Sequence, residues 1–202
     1  MRHVPFWLDQ VPKSRRRSHP RLKGSHETRV AVVGGGLTGA ACALAFTMAG
    51  FEVVLLEAET VGSGATAGAD GLLREGLNAS FQSMASAHGL RQARALWDGT
   101  RQGSLDFAAT LRRLKIRCDL GPLDLLTVSP PSSEQANMLR REQAARKAAG
   151  VAGSWVTPAV TTSEAGIDTG GAIRTRGAAL DPYRACLGLV SAAAARGAAI
   201  HE

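Results

Sequence analysis

Residues 29–59 read RVAVVGGGLTGAACALAFTMAGFEVVLLEAE, and the order of the parts decides the fold. Residues 29–33 are a short β-branched run stopped by glycine, the pattern of a buried parallel strand entering a tight turn. Leu37, Ala41, Leu44, Ala45 and Met48 then recur at helical spacing, and Gly50 stands where the residue after a helix belongs. Residues 52–56, EVVLL, supply a second strand and close a βαβ unit of about thirty residues. Glu57 stands at its carboxyl end.

Each glycine has its own task in that frame. Gly34 permits the tight turn, Gly36 lets the backbone approach a pyrophosphate, and Gly39 lets the helix pack close against the strand. Gly35, Leu37 and Thr38 complete the loop and the first helical turn. Unpaired N–H groups there, together with the helix dipole, favour the negative charge of a diphosphate. Glu57, some twenty residues on, accepts a hydrogen bond from a ribose 2′-hydroxyl and repels a 2′-phosphate. NADP is therefore disfavoured, while NAD and the ADP half of FAD both remain. A triphosphate loop is excluded because Gly39 is followed by Ala40 and Ala41, with no Lys or Ser/Thr to meet phosphate and magnesium. A glycine-rich helix start serving packing alone leaves Glu57 unexplained.

The remaining composition narrows the class. The chain has 202 residues, 45% of them apolar, enough for one good core or two small ones. Its net charge of +7 is concentrated at the start, where residues 1–29 carry eight Lys/Arg against two acids. Residues 1–28 read as a basic, extended and partly mobile arm without helical or strand period, with Pro5, Phe6 and Trp7 anchoring its start. The run Arg15, Arg16, Arg17 lacks the apolar segment of an export signal and the interleaved aromatics of a nucleic-acid patch. No nucleic-acid partner and no membrane span are expected, and the expected location is cytoplasmic. Cys42, Cys118 and Cys186 are far apart and read as small core residues, and the five histidines form no metal-ligating pattern. No metal site is expected.

The segment after Glu57 separates NAD from FAD. Its sequence, AETVGSGATAGADGLL, resembles the FAD-dependent oxidoreductases of the D-amino-acid oxidase and glycine oxidase superfamily, in which the ribose-binding acid precedes a G-S-G-A-S/T segment and a glycine-rich turn beside the diphosphate and flavin. Gly62, Ser63, Gly64, Ala65 and Thr66 match the first part, and Ala69, Gly71 and Leu72 the second. The resemblance implies FAD as cofactor, held by Gly34, Gly35, Gly36, Leu37, Thr38, Gly39, Glu57, Ser63, Gly64, Ala65, Thr66, Gly71 and Leu72. It also implies oxidation of a small-molecule amine or amino acid, with hydride passing to flavin N5 and the imine then hydrolysing. Arginine commonly clamps a substrate carboxylate, and Arg74, Arg174 and Arg176 are candidates whose type and setting suit the surface better. No residue is nominated as catalytic.

Farther along, residues 80–115 read as one or two helices interrupted at Gly89, Gly99 or Gly103. GPLDLLTVS reads as a strand, and Ser132 with Gln135 opens a polar helix that ends near Gly150 with solvated charged faces. Asp181 and Pro182 start a last helix with Leu187, Val190 and Ala194 on one face, stopped by Gly197. Its L-D-P-Y-R start resembles the family's return into the FAD domain, and AAIHE the start of the next strand. The expected class is α/β: a Rossmann-like FAD-binding βαβ domain with a parallel sheet and an inserted α+β cap or substrate region. The expected boundaries are an arm at 1–28, the FAD-binding unit at 29–78, the cap at 79–177 and the return at 178–202. Because family members are longer, the carboxyl-terminal half of the fold is expected to be missing here, and a second chain could supply it. A non-catalytic remnant keeping the scaffold, and an NAD-binding dehydrogenase, are the alternative readings.

Overall fold

The computed structural model describes residues 4–77 and 79–202. The chain divides into two compact units, one made of the chain up to Leu72, Ala109–Leu120 and Leu180–Glu202, the other of Leu73–Ala108 and Gly121–Ala179.

The first unit is built on a parallel sheet of order β1-β2-β7. Strand β1 (Val30–Val33) pairs with β2 (Val53–Leu56), Val30 opposite Val53 and Val33 opposite Leu56. On its other side β2 pairs with β7 (Ala199–His201), Val54 opposite Ala199. The central position of β2 explains its continuous apolar run: Val53, Val54 and Leu55 are all buried. The expectation of a buried first strand is corrected, because β1 lies at the edge and alternates half-buried with exposed residues, ending on Val33 at 84% exposure.

Helix α2 (Leu37–Met48) connects β1 to β2 and packs on the later helix α7 (Pro182–Ala194). Its buried face is Ala40, Ala43 and Leu44, so the expected stripe is displaced and Ala45 and Met48 point to solvent. The sequence of α2 is apolar nearly all round, so period alone does not choose a face. Small alanines win because they let α7 approach. In α7 Val190 is buried as expected, together with Tyr183, Cys186, Leu189 and Ala193, whereas Leu187 is half-buried and Ala194 exposed. Burial of Leu189 and Val190 contributes about 1.5–3 kcal/mol each. Asp181 caps this helix, its Oδ1 accepting from Arg184 N–H at 2.9 Å.

The arm is more structured than its composition implies. Phe6–Asp9 forms a helical turn, α1, and Lys13–Arg15 a 3-10 turn. Four residues are too few to show a period, which hid α1 from the sequence pattern. Val11 is buried with Ala67 and Tyr183, and Trp7, Leu8 and Leu187 pack around them. The anchoring expected of Trp7 is seen directly: its indole N–H donates to Ala69 O at 2.7 Å.

The second unit is α+β. Its sheet joins β3 (Leu72–Arg74), β6 (Gly171–Ala179) and β4 (Gly121–Ser129), with β5 (Ser154–Val156) also on β6. Strands β4 and β6 are antiparallel over nine residues, from Gly121 opposite Ala179 to Ser129 opposite Gly171. The helical stretch splits only at Gly89, whose φ of 81° ends α3 (Phe81–His88) before α4 (Leu90–Arg113) begins. Gly99 and Gly103 lie inside α4. Helix α5 (Ser133–Ala148) starts at the Ser132 cap, as expected, and α6 spans Pro158–Ala165.

The expectation that every charged face of α5 is solvated is corrected. Glu142 and Arg146 are buried, at 6% and 8% exposure. The Glu142 carboxylate accepts from Phe81 N–H at 2.7 Å, Gln82 N–H at 2.9 Å and Arg146 Nε at 2.7 Å. It thus neutralises the amino end of α3. Arg146 lies 4.6 Å over the ring of Trp97, which stacks edge-on against Phe81.

Candidate functional site

The glycine turn sits at the carboxyl end of β1. Gly34 has φ of 102° and donates to Leu56 O at 2.7 Å, so the turn both reverses direction and stays tied to β2. A methyl added at Gly39 would overlap Gly34 O, which accounts for the third glycine by close approach of backbone to backbone. Helix α2 begins after Gly36, which provides no side-chain cap. Among its first amides, Leu37 N–H is met by Thr66 Oγ1 at 2.9 Å, while those of Thr38 and Gly39 precede the first intrahelical bond.

Glu57 reaches back to this turn. Its Oε2 accepts from Gly35 N–H at 2.7 Å and its Oε1 from Glu59 N–H at 3.0 Å. A Cβ at Gly35 would stand 3.0 Å from Glu57 Cβ and 3.2 Å from Oε2, so the middle glycine makes room for the acid. Each carboxylate oxygen keeps a second lone pair for an outside hydroxyl donor.

Residues 60–69 form a chain of tight turns, including Ser63 N–H to Thr60 O, Ala67 N–H to Gly64 O and Ala69 N–H to Thr66 O. Gly62 N–H ties them to Gly35 O at 3.0 Å. The aromatic ring of Tyr183 lies so close under Gly62 that a Cβ there would meet Cδ2 at 2.9 Å.

A groove of about 760 Å³ runs between these parts. Of the residues singled out from sequence, Gly34, Gly36, Leu37, Thr38, Gly39, Glu57, Ser63, Gly64, Ala65 and Thr66 line it. Gly35 is buried behind it. Gly71 and Leu72 are not among its lining residues: Gly71 accepts from Leu180 N–H at 2.9 Å, and a Cβ there would stand 2.7 Å from Trp7 Cζ2. Sequence reasoning passed over Val33, Cys42, Ala58 and Glu59, which also line the groove. The glycine and acid spacing assigns them no role, and they reach the groove through the fold.

The groove fits a dinucleotide by its donors. It is lined by no Lys or Arg among the described residues, so a diphosphate would be met by amides and the α2 dipole alone. The carboxylate of Glu57 suits a ribose diol and opposes a further phosphate. Its size lies in the range of small-molecule sites.

Two thiols of the first unit are buried and lie outside the groove lining. Cys186 Sγ donates to Gly35 O at 3.3 Å, and burial, with a smaller contribution from the Glu57 charge, pushes its pKa up to about 12. Burial likewise raises Cys118. Both are core residues as expected; Cys42 is only half-buried. Arg174 is engaged by Glu164 and Asp124, and Arg176 is exposed. No helix among the described residues is long and apolar enough to cross a membrane.

Comparison with known proteins converges on this geometry. The DAO family, FAD dependent oxidoreductase, matches residues 29–202. Gamma-glutamylputrescine oxidoreductase of Escherichia coli (strain K12) is 36% identical over 93 residues, 46% of this chain and 22% of that protein. Glycine oxidase from Geobacillus kaustophilus superposes with a TM-score of 0.67 at 27% identity, covering 88% of this chain and 47% of its own. L-proline dehydrogenase from P. horikoshii shares the fold, with a TM-score of 0.65 at 18% identity and coverage of 91% and 44%. The chain therefore spans less than half the length of each of these relatives.

Proposed function

Because the chain belongs to the DAO family of FAD-dependent oxidoreductases, we propose that its groove at the start of α2 holds the ADP half of FAD and that the protein oxidises a small amine or amino acid. The observation carrying this reading is the convergence on one groove of the Gly34–Gly36 turn, the Glu57 carboxylate and the turns of residues 60–69. The amides of Gly36, Thr38 and Gly39 would face the diphosphate, and Glu57 would accept from the ribose hydroxyls of the adenosine. Bound FAD would supply the two-electron oxidising chemistry. The protein's part is to fix the dinucleotide by fixed dipoles that need no rearrangement on binding. The substrate class is supported by the relatives that act on glycine and on gamma-glutamylputrescine, as their names state. On the same reading, the FAD-binding unit expected at 29–78 falls in the first compact unit as far as Leu72, the substrate region expected at 79–177 falls in the second apart from Ala109–Leu120, and the return expected at 178–202 falls in the first from Leu180 on.

Fluorescence titration of the flavin-free full chain tests the assignment. FAD is expected to bind and NADH not. Glu57→Gln, which keeps the shape and removes the charge, is expected to weaken FAD by roughly tenfold to a hundredfold, the range of one charged hydrogen bond. Binding of NADH with no retention of FAD would replace this reading with a nicotinamide dehydrogenase.

A further inference from the structure

We infer that the amino-terminal arm is a strap that positions the turns of residues 60–72, with Trp7 as its clamp; this rests on the cofactor reading above. Those turns supply part of the groove wall, and the bonds they make among themselves are short-range. Gly62 N–H to Gly35 O and Leu180 N–H to Gly71 O tie them to the rest of the unit before β3 begins at Leu72, and side chains must fix the remainder. Tyr183 supports them from beneath at Gly62. On another side stands Trp7, whose indole N–H closes on Ala69 O at 2.7 Å and whose ring fills the space beside Gly71. Ala67, fully buried, lies in the cluster formed with Val11 of the arm and Tyr183.

The arm is itself pinned downstream of Trp7. Arg16 folds back, its Nη2 donating to Leu8 O at 2.7 Å and its Nε to Val11 O at 2.9 Å, which closes the arm into a compact loop. Glu202 then ties arm and turns together through one carboxylate: Oε2 accepts from His19 N–H at 2.8 Å, and Oε1 from Val61 N–H at 2.7 Å. The turns are thus gripped at Val61 and at Ala69, on either side of the stretch Ser63 to Thr66 that lines the groove. Ala69 and Gly71, which Trp7 meets, lie outside the groove lining, so Trp7 is a positioning residue. Its effect would pass through the loop to the cofactor.

The test compares wild type, Trp7→Phe and Trp7→Ala in the full chain by hydrogen exchange without FAD and by FAD titration. Trp7→Phe keeps most of the ring and deletes the indole donor, and is expected to weaken FAD roughly threefold to tenfold, as for one neutral hydrogen bond. Trp7→Ala is expected to weaken it further. In both variants the amides of residues 61–72 should exchange faster while those of Val53–Leu56 keep their protection, which separates loss of the strap from unfolding. Arg17→Ala, at an exposed arm position, should match wild type in both readouts. Unchanged exchange at residues 61–72 in Trp7→Ala overturns the strap, whatever FAD does. Faster exchange there in the Trp7 variants, with a wild type that never binds FAD, would instead leave the strap standing and sink the cofactor assignment.

Discussion

Gly35 is the residue on which the candidate site turns, although it carries no side chain. Its N–H is held by Glu57 and its carbonyl accepts from both Gly62 N–H and the Cys186 thiol. One residue therefore joins β1, the end of β2, the turns of residues 60–69 and α7. The thiol can serve only while protonated, and its pKa moves from 9.0 to about 12 in the fold. The folded state thus holds this proton more tightly than the unfolded chain. Its contribution is whole below pH 9 and is lost as pH rises from there toward about 12, at up to about 1.4 kcal/mol per pH unit. Urea unfolding should show wild type losing stability more steeply across that window than Cys186→Ala. Parallel slopes for the two proteins would remove Cys186 from the account.

The same residue marks where sequence reading stops. Gly34, Gly39 and Glu57 were legible because their roles follow from spacing inside one βαβ unit, and the structure gives the turn, the close approach and the carboxylate at the turn's mouth. Gly35 and Thr66 were named for the site and Cys186 for the core, but the bonds they make were not legible. Their partners lie 22, 29 and 151 residues away, and nothing in a local pattern encodes a hydrogen bond across that distance. Gly71 entered through likeness of a short segment, and the groove lining does not include it; its positive φ of 72° and its contact with Trp7 explain the glycine by packing.

Among the elements, α5 departs most from its pattern. Its only large apolar residues are the adjacent Met138 and Leu139, so no apolar stripe announces which face goes inward. The inward face is charged: Glu142 caps α3 and pairs with Arg146, and Arg146 covers Trp97. Removing one partner leaves the other as an uncompensated buried charge, so Glu142→Ala should cost about 3–5 kcal/mol, read from the urea midpoint of the second unit. Glu142→Met combined with Arg146→Met should recover only the share due to the uncompensated Arg146, because the amides of Phe81 and Gln82 still lack their acceptor. If Glu142→Ala unfolds at the wild-type midpoint, the pair is ornamental. Helices α2 and α7 show the opposite case, where apolar residues were plentiful and only the choice of face was illegible. Strand β2 was fully legible because a central parallel strand is buried on both sides.

At the scale of the molecule, the two units have separate cores, and the groove belongs wholly to the first. A ligand bound there stabilises what it touches by mass action. Saturating FAD at about a hundred times its Kd should therefore raise protection across β1, β2 and α2 by about 2.7 kcal/mol. The amides of β4 and β6 should gain less, as measured by native-state hydrogen exchange. Equal gains in both units would mean that they open together, and no gain in either would count against binding at this groove.

The arm adds a matter of timing. Trp7 is made before Ala69, Tyr183 and Glu202, to which it or its neighbours attach. At the usual pace of synthesis, about 5–20 residues per second, roughly 10 to 40 s separate Trp7 from Glu202. A segment made well before the residues that seat it is consequently late to settle, and the strap closes only after the turns and α7 it grips have been made.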